Sequence, residues 1–412
     1  MRPDERVLCR DILDQVCDRE DHVRLLSLVP PDFRIDDAGA VTKRRGPLLL
    51  LDLMNVYRSA VPDLRFRVEA CDEEDGTVVT RWSACGHHTG CGVGGPPTGR
   101  SVTLQSGLAA GVSRTELCGT WDIAGYLAQT NGTRPAFRRA LCPGTDYIRL
   151  RAVMEREGTP VVLFPAMTLP GWMTWKRSID VLRERRPVIT FQLLANRLAF
   201  EGRGVPSGYC VRRETRAIER ALEAAKIRGR FDVVGHSAGG TLALDFALEN
   251  PDQVRSLTLT EPAAPWVLKD AGALNGRFGE FLRERIAACS GDLTEDAYAA
   301  FLQTTMHTPG YDPKESSHWP LLWVYWENVR FRPFLYMHSD SLRRVQSARF
   351  PVLLVLGTES DDFHREIIRV LRCNFRNCRS VELPGGHAPH YREGMARFLR
   401  EMDTFHRECA GG

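Results

Sequence analysis

The sequence predicts two units of different class. Residues 1–132 read as an α+β unit. After a linker at 133–145, residues 146–412 read as an α/β unit, a mostly parallel sheet with a helical lid at about 263–346. Three observations predict this. Helical periodicity gives way to period-2 alternation before residue 130. Short apolar runs alternate with helices after residue 146. Between them, Thr130-Asn131-Gly132-Thr133-Arg134-Pro135 and Cys142-Pro143-Gly144 concentrate turn-forming residues. A length of 412 residues, at roughly 150 per domain, also fits two or three units.

In the first unit, Val7, Ile12, Leu13 and Val16 recur at helical spacing, and a second helix is expected over Leu48–Tyr57. Leu64–Ala70, Thr77–Cys85, Val102–Ala109 and Ser113–Asp122 read as strands. Leu64, Phe66 and Val68 share one face, and Val78, Thr80 and Trp82 another, so a curved antiparallel sheet is expected. In the second unit, Val161–Phe164, Val188–Phe191, Phe231–Val234, Leu257–Thr260 and Val352–Leu356 are short and almost wholly apolar. Parallel strands covered by helices on both faces have this character. The aromatic-rich helical segment Ala263–Gln346 interrupts the alternation and is read as the lid.

Composition removes several classes of function. Lys+Arg is 55 and Asp+Glu is 52, a net charge of +3, which offers no whole-chain attraction for nucleic acid or an anionic membrane. Leu48–Leu51 sits in an apolar stretch, Pro47–Met54, that is too short to span a bilayer and carries Asp52. The start, Met1-Arg2-Pro3-Asp4-Glu5-Arg6, has no apolar core of a signal peptide. A cytoplasmic protein is expected, its twelve cysteines reduced.

The chemistry concentrates in Gly235-His236-Ser237-Ala238-Gly239-Gly240. This G-x-S-x-G run follows the strand Phe231–Val234 and precedes a helix over Thr241–Glu249, the context in which a sharp turn lifts a serine hydroxyl above a sheet. The helix N-terminus adds positive potential where an oxyanion would form. Ser237 is the candidate nucleophile. His387, in Pro384-Gly385-Gly386-His387 after the strand Ser380–Leu383, is the candidate base. The acid stays open between Asp361, in the loop after Val352–Leu356, and Glu261, at the end of Leu257–Thr260. The backbone N–H groups of Ala238 and of Met167, in the loop Pro165-Ala166-Met167-Thr168, are the candidate oxyanion hole.

Residues 146–407 resemble the α/β-hydrolase superfamily in the order of elbow, lid insertion, last-strand acid loop and Gly-His loop. They depart from it in Pro165-Ala166, where His-Gly is usual, in Phe191-Gln192-Leu193, and in Ser360 at the usual acid position. The first unit resembles the SnoaL-like polyketide cyclases through Ala60-Val61-Pro62-Asp63-Leu64, Arg81-Trp82-Ser83-Ala84, Gly86-His87-His88-Thr89-Gly90, Pro96-Pro97-Thr98-Gly99-Arg100 and Trp121-Asp122. That resemblance implies a cone-shaped α+β fold, a homodimer formed through the sheet, and a second pocket in which His88, Glu116 and Asp122 are the candidates for acid–base work. The competing assignments are a turn hydrogen bond for His88 and a helix cap for Asp122.

Other constellations carry less. Cys85, His87, His88 and Cys91 lack the spacing of a zinc set, no P-loop is present, the glycine run ending in Gly92-Val93-Gly94-Gly95 is followed by no helix pattern of a nucleotide-binding loop, and no metal or cofactor is expected. In the lid, Trp319, Trp323 and Trp326 fall at i, i+4, i+7. They form either core packing or an apolar wall over Ser237 for a hydrophobic small molecule. Arg151, Arg330 and Arg332 read as solvated charges. Together the residues and resemblances point to a serine-nucleophile enzyme acting on an ester, thioester or lactone of a bulky polyketide-like intermediate, by hydrolysis or cyclising acyl transfer. A non-hydrolytic cyclase or isomerase is the alternative, and a purely dimerising or ligand-binding first unit a third.

Overall fold

The computed structural model describes residues 5–35, 45–74, 77–91, 97–111, 117–133, 135–137, 148–290, 294–306, 311–391 and 394–409. The chain divides into two compact units. One is Met1–Met154 with Ala224–Lys226, and the other is Glu155–Glu223 with Ile227–Gly412. Most of the expected linker, 138–145, lies outside the described residues, as does Glu116. Among the described residues no helix is long and apolar enough to cross a membrane.

The first unit is an α+β fold around a five-stranded sheet. Its strands are β1 (Arg34–Ile35), β2 (Arg65–Glu74), β3 (Thr77–His87), β4 (Ser101–Gly111) and β5 (Leu117–Thr120), in the order β1-β5-β4-β3-β2. β3 is antiparallel to both neighbours, so its side chains alternate faces. Val78, Thr80, Trp82 and Ala84 are buried, while Arg81, Cys85 and His87 are exposed. The helix Pro47–Ala60 is longer than the periodicity implied and buries every residue from Leu49 to Ala60. Its Tyr57 packs with Trp121, Tyr126 and Phe137, and Trp82 lies 4.6 Å from Trp121, centroid to centroid, so aromatic rings fill this interior. The buried strand β6 (Arg149–Val153) belongs to this unit by its contacts, and Arg149 pairs with the fully buried Asp52 of the helix Pro47–Ala60.

The structure places two of the first-unit candidates. Asp122 is exposed and caps the helix Ile123–Gln129, its carboxylate accepting from Gly125 N at 2.7 Å. An exposed cap has neither the apolar surroundings nor the aim into a pocket that acid–base work needs. His88 is buried and holds a turn, its Nδ1 hydrogen-bonded to Thr98 Oγ1 and its carbonyl accepting from Thr98 and Gly99, while its Nε2 is buried without a hydrogen-bond partner.

The second unit is an α/β fold. Its strands β7 (Val161–Phe164), β8 (Val188–Gln192), β9 (Phe231–His236), β10 (Val254–Thr260), β11 (Val352–Gly357) and β12 (Cys378–Leu383) run in the order β12-β11-β10-β9-β7-β8, each parallel to its neighbours. β7, β8, β9 and β11 are buried at every position, as their largely apolar sequences imply, and the buried Asp232 of β9 is paired with Arg186 and Arg255. The helix Ala238–Glu249 covers one face, and Trp175, Ile179, Leu182, Phe398 and Met402 pack in the core with Val161, Val234 and Val355. Between β10 and β11, the described residues of 263–346 form helices, among them Gly276–Ser290, Glu295–Met306, Trp319–Val324, Asn328–Phe331 and Pro333–Met337.

Candidate active site

All parallel strands end at the same edge, and the registers decide what meets there. Thr260 pairs with His236 across β10 and β9, so the next residues, Glu261 and Ser237, emerge side by side. Thr260 also pairs with Val355 of β11, and Gly357 with Leu383 of β12, four residues before His387. Three loops therefore converge on one point.

Ser237 sits in the tight turn between β9 and the helix Ala238–Glu249, with φ +54° and ψ −122°. A non-glycine residue pays for that conformation, typically about 1–3 kcal/mol, and keeps it only where its surroundings enforce it. Here Ser237 N donates to Thr260 O and Ser237 O accepts from Ala263 N, both at 3.0 Å, clamping the turn to the end of β10. Glycine is required on either side. A Cβ on Gly235 would come within 2.5 Å of Gly239 O, and one on Gly239 within 2.3 Å of Pro165 O. The second contact presses the loop after β7 against the elbow. Met167 lies buried in that loop, and the Ala238 N–H opens the first turn of the helix, where no helical acceptor exists.

His387 Nε2 stands 2.8 Å from Ser237 Oγ, and His387 Nδ1 2.8 Å from Glu261 Oε2. The other Glu261 oxygen accepts from Gly357 N at 2.6 Å. The His387 loop is itself held, its N–H donating to Met306 O and its carbonyl accepting from His236 Nε2 at 2.8 Å. The structure thus brings together Ser237, His387 and Glu261. Asp361, the other acid left open by the sequence, goes elsewhere. It caps the helix Asp362–Asn374, accepting from His364 N at 2.7 Å, and both its oxygens lie 2.9 Å from His364 Nδ1. Aspartate at a helix start finds its donors within its own turn, while the longer glutamate on the adjacent strand reaches the histidine.

His364 had no place in the sequence reading, although an acid followed by histidine three residues on marks a helix start whose first turn can pair. Its ring is buried, 4.4 Å from that of His387 by centroids. Burial opposes its charging, but the Asp361 carboxylate, aided by Glu261, outweighs burial and raises its pKa. Burial pushes the Glu261 carboxyl from 4.5 up to about 7, against the lowering effects of His364, the Gly357 N–H and the Ser360 hydroxyl. A carboxyl raised on folding lends stability that is complete below its unfolded pKa and is lost as pH climbs through the folded one. The difference in Tm between Glu261→Gln and wild type should therefore shift in favour of the variant between pH 4.5 and pH 8. A pH-independent difference, read by calorimetric melts, would contradict this environment for Glu261.

Among the described residues two clusters have metal-ligand chemistry. Ligand-type atoms of Glu261, His364 and His387 lie within 4.8 Å of one another, as do those of Asp245, His338 and Asp340. In the first, both nitrogens of His387 already face partners. In the second, Arg212 and Arg344 neutralise the carboxylates.

The lid departs from expectation in two respects. Trp326 lies beyond the helix Trp319–Val324, so the three tryptophans do not share one helix face. They stack on one another at 6.2 and 5.0 Å, with Tyr298 beside Trp319 at 5.7 Å, and all three are half-buried. Of the arginines read as solvated, only Arg330 is exposed, whereas Arg151 and Arg332 are buried.

Comparison with known proteins adds the following. Residues 161–401 match the model of the alpha/beta hydrolase family, and residues 7–131 that of the SnoaL-like polyketide cyclases. A curated relative, "Putative carbamate hydrolase RutD" of Klebsiella pneumoniae, is 25% identical over 236 residues, 56% of this chain and 85% of its own. The enol-lactonase from Burkholderia xenovorans is similar in structure at a TM-score of 0.51 and 17% identity, covering 63% of this chain and 95% of that one. An esterase from Exiguobacterium antarcticum gives 0.50 and 17%, covering 63% and 94%. The two solved structures speak for the fold of the second unit.

Proposed function

Because the chain belongs to the alpha/beta hydrolase family and is an enzyme, we propose that it is a serine hydrolase whose nucleophile is Ser237. The observation that carries this is the unbroken chain of two 2.8 Å contacts from Ser237 Oγ through His387 to Glu261. His387 takes the Ser237 proton as the oxygen attacks a carbonyl. Glu261 fixes the tautomer with Nδ1 protonated and stabilises the imidazolium that forms. The Ala238 and Met167 N–H groups receive the oxyanion. His387 then gives the proton to the leaving group, and an acyl-enzyme remains on Ser237, to be released by water or by a nucleophile within the acyl group.

The bond attacked is an ester, thioester or lactone of a bulky, polyketide-like compound. The SnoaL-like unit on the same chain supports that class of substrate. The aligned serine and histidine favour acyl transfer over a non-hydrolytic cyclase. The first unit itself is read as a binding module, because Asp122 is spent as an exposed cap and aromatic rings occupy its interior. The test is labelling by a fluorophosphonate probe read by peptide mass spectrometry. An adduct on Ser237 in the wild type that is lost in His387→Ala is the expected result. A Ser237 left unlabelled by both this probe and a smaller sulfonyl fluoride would count against an activated serine.

A further inference from the structure

A guanidinium with no carboxylate partner is buried in the lid. Arg332 is only 6% exposed and its Nε has no hydrogen-bond partner. Among the described residues no carboxylate pairs with it; its guanidinium lies over the face of Phe301, 4.6 Å to the ring centroid, and acts on Tyr298, Tyr336, Cys289 and Arg285 around it. Neighbouring Arg285 is buried too, but it donates to Thr305 Oγ1 and Thr304 O, so its burial is accounted for. Burying a cation without an anion is costly, and the stacking on Phe301 offsets only part of that cost.

The surroundings of Arg332 place it at the candidate active site. Arg332 continues the helix Asn328–Phe331 with helical φ and ψ, one turn after Asn328, so the two side chains share a face. On that face Asn328 Nδ2 donates to Thr168 O at 3.1 Å, in the loop that carries Met167. Phe301, on which Arg332 lies, belongs to the helix Glu295–Met306, whose last residue receives the His387 N–H. Arg332 is thus bracketed by the loop on the oxyanion side and the helix that holds His387. Its charge is felt at His236, the residue before Ser237.

We propose that Arg332 is a substrate-binding residue that receives a carboxylate carried by the ester, so that this enzyme takes anionic acyl substrates. The proposal rests on the serine-hydrolase reading of the same site. A planar guanidinium in a water-poor setting pairs with a carboxylate through two parallel N–H···O bonds. It would both fix the orientation of the scissile carbonyl and relieve the buried charge.

The experiment uses mono-p-nitrophenyl esters of adipic, suberic and sebacic acids beside their methyl-capped counterparts, with the full-length enzyme. The wild type should prefer the free acid of at least one length by roughly 10- to 100-fold in kcat/KM. Arg332→Gln should collapse that ratio through a higher KM for the acid, and Arg332→Lys should restore part of it. Arg330→Gln, an exposed charge paired with Glu327 on the same helix, should leave the ratio where it is. A wild type indifferent to the carboxylate, or a preference that survives Arg332→Gln, overturns the proposal. If the wild type cleaves none of these esters, the serine-hydrolase reading is the one in difficulty. Calorimetry with monomethyl suberate then decides. Binding to the wild type that is lost in Arg332→Gln upholds the anion site, and no binding to the wild type overturns it.

Discussion

Ser237→Ala is expected to lower kcat by roughly 10³- to 10⁶-fold and to abolish the fluorophosphonate adduct, with KM little changed. The size follows from the geometry. Removing Oγ removes the atom of the turn that meets His387 Nε2, and the sequence neighbours do not replace it, Ala238 having no polar side chain and His236 having its Nε2 held on His387 O. The fold should tolerate the change. The clamp on this turn is made by backbone groups, Ser237 N with Thr260 O and Ser237 O with Ala263 N, which alanine keeps. Alanine also inherits the same strained φ, so stability should shift by no more than about 1 kcal/mol. Loss of turnover with unchanged Tm is what separates a missing nucleophile from a damaged elbow. A variant retaining most of its kcat would mean that the enzyme works without a serine acyl intermediate, and the non-hydrolytic route would return.

The scaffold of this site was legible because its signals are local. An apolar run such as Val161–Phe164 has one way to be satisfied, as a covered strand, and Gly235 and Gly239 flank a serine for steric reasons that can be read from spacing alone. The acid was not legible, because its choice depends on register. Glu261 and Asp361 both follow strands of the same sheet. Only the pairing of Thr260 with His236 puts one beside Ser237, and only the pairing of Asp361 with His364 occupies the other. Burial of charge was equally hidden. Arg330 and Arg332 are two residues apart on one short helix and look alike in sequence, yet one faces solvent and the other Phe301. In the SnoaL-like unit, Trp121-Asp122 preceded a helix, and the cap was the plainer of its two readings.

Glu261→Gln should cost roughly 10²- to 10⁴-fold in kcat, and Asp361→Asn less than about tenfold. The asymmetry follows from what each carboxylate touches. Glu261 has one oxygen on His387 Nδ1 and the other on Gly357 N. In the glutamine variant one of those positions receives an NH2 group. If it faces Gly357 N, two donors oppose each other. If it faces His387, it favours the tautomer with Nε2 protonated, which cannot accept the Ser237 proton. Either way the imidazolium formed during attack loses the negative charge beside it. Asp361 does not touch His387; it supports the charge of His364, which favours the ionised form of Glu261, and this outweighs the smaller direct effect by which the Asp361 carboxylate raises the Glu261 pKa. Its loss should appear chiefly in the pH profile. With His364 less readily charged, Glu261 ionises at higher pH, and the rise of kcat/KM with pH should move to higher pH while the plateau is nearly retained. Measuring both variants across pH distinguishes the assignments. A deep, pH-independent loss in Asp361→Asn with a mild effect in Glu261→Gln would return the acid to the loop after β11, where Ser360 now stands.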